Sequence, residues 1–245
     1  MGELMNKERE KKILEILMQK RRVTVKELAE KLYASEPSIR RDLSSLENQN
    51  LIKRVHGGAL LDESALSKNK IPFIIRELEQ SDAKIIMAKK AIELVRDGDV
   101  IFLDASTSAY TLIPYLLSKR NITVVTNGAR ALTRLGEYGI NAVSTGGDLV
   151  SSCMALVGEN ACRAVGQINA NVAFFSCRGI SEDGYLTDIA PAENHVRIAM
   201  IEHSERSYML CASEKLGKKY FHNICRVSDI TAVISDGELP DFAIG

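Results

Sequence analysis

Arg40 and Arg41 are adjacent, and two small hydroxyl residues, Ser35 and Ser38, stand just before them. A guanidinium presents paired donors that match guanine or phosphate, and serine hydroxyls and free helical N–H groups hold phosphate. Lys53, Arg54 and His56 follow soon after. A second set of polar residues is spread over the following two-thirds of the chain: Asp104, Ser106, Thr107 and Ser108, then Thr126 and Asn127, then Gly146 and Gly147, then Arg178, then Lys215. Each group comes directly after a short apolar run or its turn. Hydroxyls, an amide, glycines and two cations suit a small phosphorylated compound. The first set suits a polyanion.

Stepping from these residues to the elements that must carry them, residues 6–20 predict a helix, with Ile13, Ile16, Leu17 and Met18 on its apolar side. A second helix follows Thr24, which can cap it, with Glu27 three residues on as in a capping box and Leu28 and Leu32 turned inward. After a break at 33–35, Ser35 is expected to cap a third helix. Glu36 and Pro37 fall in its first turn, where a negative charge and a missing N–H are both tolerated. Three helices with a tight last connection make a helix-turn-helix pattern, whose last member enters the DNA major groove. Asp42 is expected to pair with a neighbouring arginine. Residues 51–61, "LIKRVHGGALL", place Gly57 and Gly58 between two apolar runs, the pattern of a hairpin wing. The candidate DNA-facing residues are Ser35, Pro37, Ser38, Arg40 and Arg41 on the helix, and Lys53, Arg54 and His56 on the wing. Periodicity alone also fits a helical dimerisation or adaptor module.

Residues 62–80 are polar, mixed in charge and contain Pro72. They read as a linker, either a flexible tether or a rigid coupling element, in which "FIIREL" can form a short helix packed on the second domain. From 81 onward helix and strand patterns alternate. Ser81 is expected to cap a helix with Ile85, Ala88, Ile92 and Val95 on one face. Buried-strand runs lie at 100–104, 122–126, 141–145, 172–176, 208–212 and 231–235. This alternation predicts a mainly parallel, doubly covered α/β sheet. Ligands of such sheets sit at the carboxyl ends of the strands, where the second set of polar residues lies.

Two resemblances sharpen this reading. "ELAEKLYASEPSIRRDLSSLENQNLIKRVHGGALL" resembles the winged-helix signature of the DeoR family of bacterial transcriptional regulators, with Ser38 where a threonine is more usual. "VIFLDASTSAYTLIPYL", "ITVVTNGARAL", "STGGDL", "LVGENA", "FFSCRGISEDGYLTD" and "SEKLG" are similar to the family's C-terminal effector domain, which is related to ribose-5-phosphate isomerase. The resemblance implies that Asp104, Ser106, Thr107, Thr126, Asn127, Gly146, Gly147 and Lys215 line a sugar-phosphate pocket. The chain departs from the family in Ser106 for a glycine, in Glu214 beside Lys215, and in the "SCRG" turn. The fold expected is thus mixed: a winged helix-turn-helix domain (1–61), a linker (62–80) and a larger ribose-5-phosphate isomerase-like α/β domain (81–245) that binds effector and oligomerises.

The bulk numbers agree with two tasks. Of 32 Lys and Arg and 32 Asp and Glu, residues 1–60 hold 13 basic and 9 acidic. The polyanion partner therefore belongs to the N-terminal side. No apolar stretch reaches membrane-spanning length, and a cytoplasmic protein without membrane partner is expected. The 5 cysteines form no CxxC and imply neither disulfide frame nor zinc site. His195 and His203 are eight apart, which is not a metal spacing. Asp104, Asp183, Asp188 and Glu193 could supply acid–base pairs, but no nucleophile–base constellation is legible. A non-enzymatic repressor without metal or cofactor is expected, a homodimer or homotetramer on double-stranded operator DNA, released or recruited by a phosphorylated sugar. The alternatives are a sugar-phosphate isomerase or deaminase with an appended basic module, and a DNA-binding protein whose second domain only oligomerises.

Overall fold

The computed structural model describes residues 2–62, 72–79 and 81–244, with side chains from residue 8 onward. Residues 63–71 and 80 of the expected linker lie outside the described residues. The chain forms two compact units, residues 1–79 and 80–245.

The first unit runs α1 (Gly2–Lys20), β1 (Arg22–Thr24), α2 (Val25–Lys31), α3 (Glu36–Asn48), β2 (Ile52–Val55), β3 (Gly58–Leu61) and α4 (Phe73–Leu78). Apolar residues at helical spacing put Ile13, Leu14, Leu17, Leu28, Ile39 and Leu43 into one fully buried core. Thr24 caps α2 in a reciprocal box: Glu27 N–H donates to Thr24 Oγ1 at 3.1 Å, and Glu27 Oε2 accepts from Thr24 N–H at 2.9 Å. Pro37 sits in the first turn of α3. The wing is antiparallel, with Gly57 at φ +77° in its turn.

Four expectations are corrected. Ser35 occupies the N-cap of α3 but makes no side-chain cap bond; its hydroxyl lies 2.9 Å from the Ser38 hydroxyl instead. Asp42 turns away from its arginine neighbours and pairs with Arg9 of α1, whose Nη2 donates to Oδ1 at 3.0 Å. The helix formed by "FIIREL" packs on the first unit, with Ile75 fully buried in that core and Glu77 accepting from Lys11 Nζ at 2.6 Å. Gly58 does not supply a positive φ. It is glycine because β1, a strand the sequence did not reveal, crosses against it. A Cβ there would stand 2.1 Å from the Val23 carbonyl oxygen. Gly58→Ala is therefore expected to destabilise the first unit by about 1–3 kcal/mol through overpacking, read as a lowered urea midpoint.

The second unit is built on six parallel strands in the order β14-β12-β9-β4-β5-β6: β4 (Val100–Leu103), β5 (Thr123–Thr126), β6 (Asn141–Ser144), β9 (Val172–Phe175), β12 (Ser207–Leu210) and β14 (Ala232–Ile234). All six strands lie on the expected runs, but the buried strand expected at 141–145 is corrected: β6 is an edge strand with Asn141, Val143 and Ser144 exposed. Helices α5 (Ser81–Ile92), α6 (Thr107–Leu116), α7 (Ala129–Glu137), α8 (Glu159–Val165) and α9 (Pro191–Glu202) flank it. Two apolar layers result: Met87, Leu112, Val124 and Phe174 on one face, Phe102, Val125, Val196 and Met200 on the other. Ser81 is the first residue of α5 rather than its cap, and Ile85 is 37% exposed. Ala83, Met87 and Ala91 share the buried face with Ala88 and Ile92 instead. Two small antiparallel additions were not legible in the sequence: a hairpin of β7 (Asp148–Val150) and β8 (Ala155–Val157), and a sheet of β10 (Gly179–Ile180), β11 (Tyr185–Asp188) and β13 (His222–Arg226).

Candidate functional site

The first candidate surface is the start of α3. Arg40 and Arg41 are both exposed. Arg40 Nη2 contacts Glu36 Oε2 one turn back at 3.1 Å, both side chains being about half exposed. Such a pair is weak enough to exchange for a phosphate or a base. Arg41 Nε makes only a long 3.5 Å contact to the Pro37 carbonyl. Inward of them, Asp42 is 3% exposed and fixes α3 to α1, so the two arginines are free to face outward. On the wing, Lys53 pairs with Asp62 at 3.2 Å, while Arg54 Nη1 donates to Ser44 Oγ at 3.0 Å and its N–H to Glu47 Oε1 at 3.1 Å. Arg54 is thereby anchored beside α3. His56 is exposed in the wing turn.

The second candidate surface is the carboxyl edge of the six-stranded sheet. The register Leu103↔Thr126 and Leu103↔Phe174 makes Asp104, Asn127 and the residues after β9 neighbours. The residues expected there divide into those already engaged and those still available. Ser106 has φ −74° and ψ 153°, an extended conformation that needs no glycine, and its hydroxyl caps α6 by accepting from Ala109 N–H at 3.1 Å. Thr126 Oγ1 accepts from Gly128 N–H at 3.0 Å. Gly147 is required for packing, since a Cβ there would lie 2.4 Å from the Val157 carbonyl oxygen; Gly146, at φ +64°, borders open space. Thr107 and Ser108 occupy the first turn of α6, where N–H groups have no intrahelical acceptor and the helix dipole is positive. Lys215 Nζ donates to Ser176 Oγ at 3.0 Å and to the Cys177 carbonyl at 2.9 Å, leaving its third donor for an anion.

Asp104 is not free to serve as a ligand or base. It is 2% exposed, and it accepts from Ser106 N–H at 3.1 Å and Ser176 N–H at 3.4 Å. Its Oδ2 also accepts from Arg197 Nε at 3.0 Å. Arg197 is the hub that sequence reading missed. Its guanidinium reaches Asp188 Oδ2 at 3.1 Å, Glu193 Oε2 at 3.2 Å and Asn194 Oδ1 at 2.8 Å. Burial opposes its charge, but Asp188, Asp104 and Glu193 outweigh burial and hold the guanidinium above its ordinary pKa. Arg178 adds a second cation to this cluster, 3.5 Å from Asp188. Three of the four carboxylates that could have formed acid–base pairs are thus tied to one arginine, and the fourth, Asp183, pairs with Lys219 at 2.8 Å. The nearby Cys177 thiol is buried, and burial pushes its pKa up to about 12. Among the described residues no group of His, Cys, Asp and Glu is placed to hold a metal. No described helix is long and apolar enough to cross a membrane.

Comparison with known proteins gives the ancestry. A family model for the DeoR C-terminal sensor domain matches residues 79–237, and one for the DeoR-like helix-turn-helix domain matches residues 9–65. The chain belongs to the DeoR family. It is 32% identical to the uncharacterized HTH-type transcriptional regulator YulB of Bacillus subtilis (strain 168) over 95% of this chain and 89% of that one. It is 30% identical to the glycerol-3-phosphate regulon repressor of Escherichia coli (strain K12) over 93% and 90%. The solved structure of eIF2B delta from Chaetomium thermophilum shares the fold at TM-score 0.51 and 17% identity, covering 65% of this chain and 57% of that one. As a DeoR-family member the chain is a helix-turn-helix transcriptional regulator with a sensor domain. Ser38 presents a hydroxyl in the first turn of α3, and Arg197 and Ser176 join the carboxyl edge of the sheet from positions whose partners lie far away in sequence.

Proposed function

We propose that this DeoR-family chain is a repressor that binds double-stranded operator DNA through α3 and the wing, and releases or engages it in response to a phosphorylated sugar. The observation that carries the DNA half is the pair of exposed guanidinium groups on the first turns of the second helix of a helix-turn-helix. Ser35, Pro37 and Ser38 would meet the groove beside Arg40 and Arg41, and Lys53, Arg54 and His56 the flanking backbone. The effector half is supported by the first turn of α6, the spare donor of Lys215, the open side of Gly146 and the nearby Arg178. All four sit at the carboxyl ends of parallel strands. The E. coli relative is named for the regulon of a phosphorylated polyol, which agrees with this class of effector.

A sensor fits better than an isomerase or deaminase. Asp104, Asp188 and Glu193 are all paired with Arg197 in a buried ion cluster, which occupies the carboxylates an acid–base mechanism would need. One winged helix makes few phosphate contacts, so a homodimer or homotetramer reading paired half-sites is the assembly proposed.

The test is fluorescence anisotropy of duplexes from the chain's own gene neighbourhood, with and without a panel of pentose, hexose and triose phosphates, alongside assays of turnover. Binding of one ester that shifts DNA affinity, without turnover, is the expected result. Turnover of any ester would favour the enzyme. Lys215→Met is expected to weaken binding of the responsive ester by roughly tenfold or more, the scale of a charge-assisted hydrogen bond. Isothermal titration measures it, and an unchanged dissociation constant would remove Lys215 from the site.

A further inference from the structure

The sensor domain holds two buried amide side chains whose hydrogen bonding is incomplete in opposite senses. Asn127 and Asn194 are each 3% exposed. Asn127 Nδ2 donates to the Leu156 carbonyl at 3.0 Å. A carbonyl can only accept, so this contact fixes which way round the amide lies. Its Oδ1 is left buried without a partner among the described residues. Asn194 is the converse. Its Oδ1 accepts from Arg197 Nη1 at 2.8 Å, and a guanidinium can only donate. Its Nδ2 is left buried without a partner among the described residues.

The two amides belong to one neighbourhood. Asn127 follows Thr126, and Asp104 follows its register partner Leu103 on the adjacent strand. Arg197 bridges Asp104 to Asn194. Helix α9, which carries Asn194, packs on β8, whose Leu156 holds Asn127. The unmet acceptor is thus carried by a residue after the strand end beside Asp104, and the unmet donor by the residue that Arg197 joins to Asp104.

A phosphoryl group accepts hydrogen bonds and does little for Asn127 Oδ1. A hydroxyl both donates and accepts, and a polyol can meet both atoms. We infer that Asn194 is a specificity-determining residue of the sensor: its Nδ2, together with Asn127 Oδ1, selects a phosphate ester that carries hydroxyl groups over one that offers the phosphoryl group alone. This rests on the effector site proposed above. Both atoms are covered, so the proposal requires the surrounding loops to part for a ligand, which then supplies the partners these atoms lack among the described residues. Because a site built to hydrogen-bond hydroxyls rejects analogues lacking them, discrimination is its signature.

The experiment is isothermal titration of the full chain with inorganic phosphate, ethyl phosphate, glycerol 3-phosphate and a set of pentose and hexose phosphates. Wild type is expected to prefer at least one hydroxylated ester over ethyl phosphate by roughly tenfold or more. Asn194→Asp keeps an acceptor for Arg197 and removes the donor; Asn194→Leu removes both without adding charge. Both variants are expected to lose most of that preference while ethyl phosphate binding moves by less than about threefold, the loss of one hydrogen bond falling on the hydroxylated ester alone. If both variants bind every ester more weakly by the same factor, or keep the wild-type preference, the amides serve packing or a bridging water and the inference is overturned. Absence of any preference in wild type overturns it without recourse to variants, and leaves the effector site standing. Should wild type bind none of the phosphates, the effector site falls and this inference with it.

Discussion

Alanine at Arg40 or at Arg41 lowers the affinity for operator duplex by roughly ten- to a hundredfold, the cost of one arginine contact to a base or phosphate. Neither substitution is expected to move the thermal midpoint. Both side chains are exposed, and the only ion pair lost is the half-exposed one between Arg40 and Glu36. The two roles separate by salt. An arginine that neutralises a phosphate takes about 0.9 off the slope of log K against log salt when it is removed, and weakens all sequences alike. An arginine that reads guanine leaves the slope in place and relaxes specificity at one position. Glu36→Gln gives a control of opposite sign. It removes a carboxylate that both holds Arg40 and repels DNA, so its affinity rises or stays level. Titrations of both alanine variants at several salt concentrations decide the matter. Unchanged affinity and slope in both would take the guanidinium pair out of the DNA interface.

Five of the six parallel strands were legible because they are mostly buried on both faces; β6, at the edge of the sheet, is largely exposed. Runs such as 172–175, four buried residues in succession, leave no polar alternation to confuse the reading. The short antiparallel pieces were not legible. Strand β1 is three residues long and pairs with residues more than thirty positions away. Its only trace in sequence was Gly58, which looked like turn chemistry and is in fact a close crossing. On the face expected for α5 only Ile85 was misplaced, since Ala88, Ile92 and Val95 are buried as expected. Ile85 and Ile86 are 37% and 42% exposed, whereas small residues, Ala83, Ala88 and Ala91, share the packing with Met87 and Ile92. At the sensor edge, position was legible and role was not. Asp104, Ser106 and Thr126 stand where the strand ends put them, yet each already serves the loop it belongs to. Asp42 shows the same limit: two arginines lie beside it in sequence, and its partner comes from another helix. Ion pairing follows the fold, and no spacing rule finds a partner 93 residues away such as Arg197 for Asp104.

Replacing Arg197 with methionine is expected to be the most damaging single change in the second unit. The methionine fills similar volume, but Asp104, Asp188 and Glu193 lose their common cation in a site where Arg197 itself is 5% exposed. Asp104 is left buried without a cation, while Asp188 keeps Arg178 at 3.5 Å. Breaking a buried pair by removing one partner costs about 3–5 kcal/mol. For a domain of this size that lowers the thermal midpoint by roughly 10 °C. Arg197→Lys lies between, keeping the charge but not the fork that serves three carboxylates and one amide at once. The same variant discriminates between two views of Asp104. If the carboxylate is an anchor that joins β4 to α9, Arg197→Met disorders the edge and weakens every phosphate ester. If it were a group waiting for ligand, freeing it from Arg197 would leave the urea midpoint unmoved and alter effector binding alone, and the ion cluster could no longer be credited with holding the site in shape.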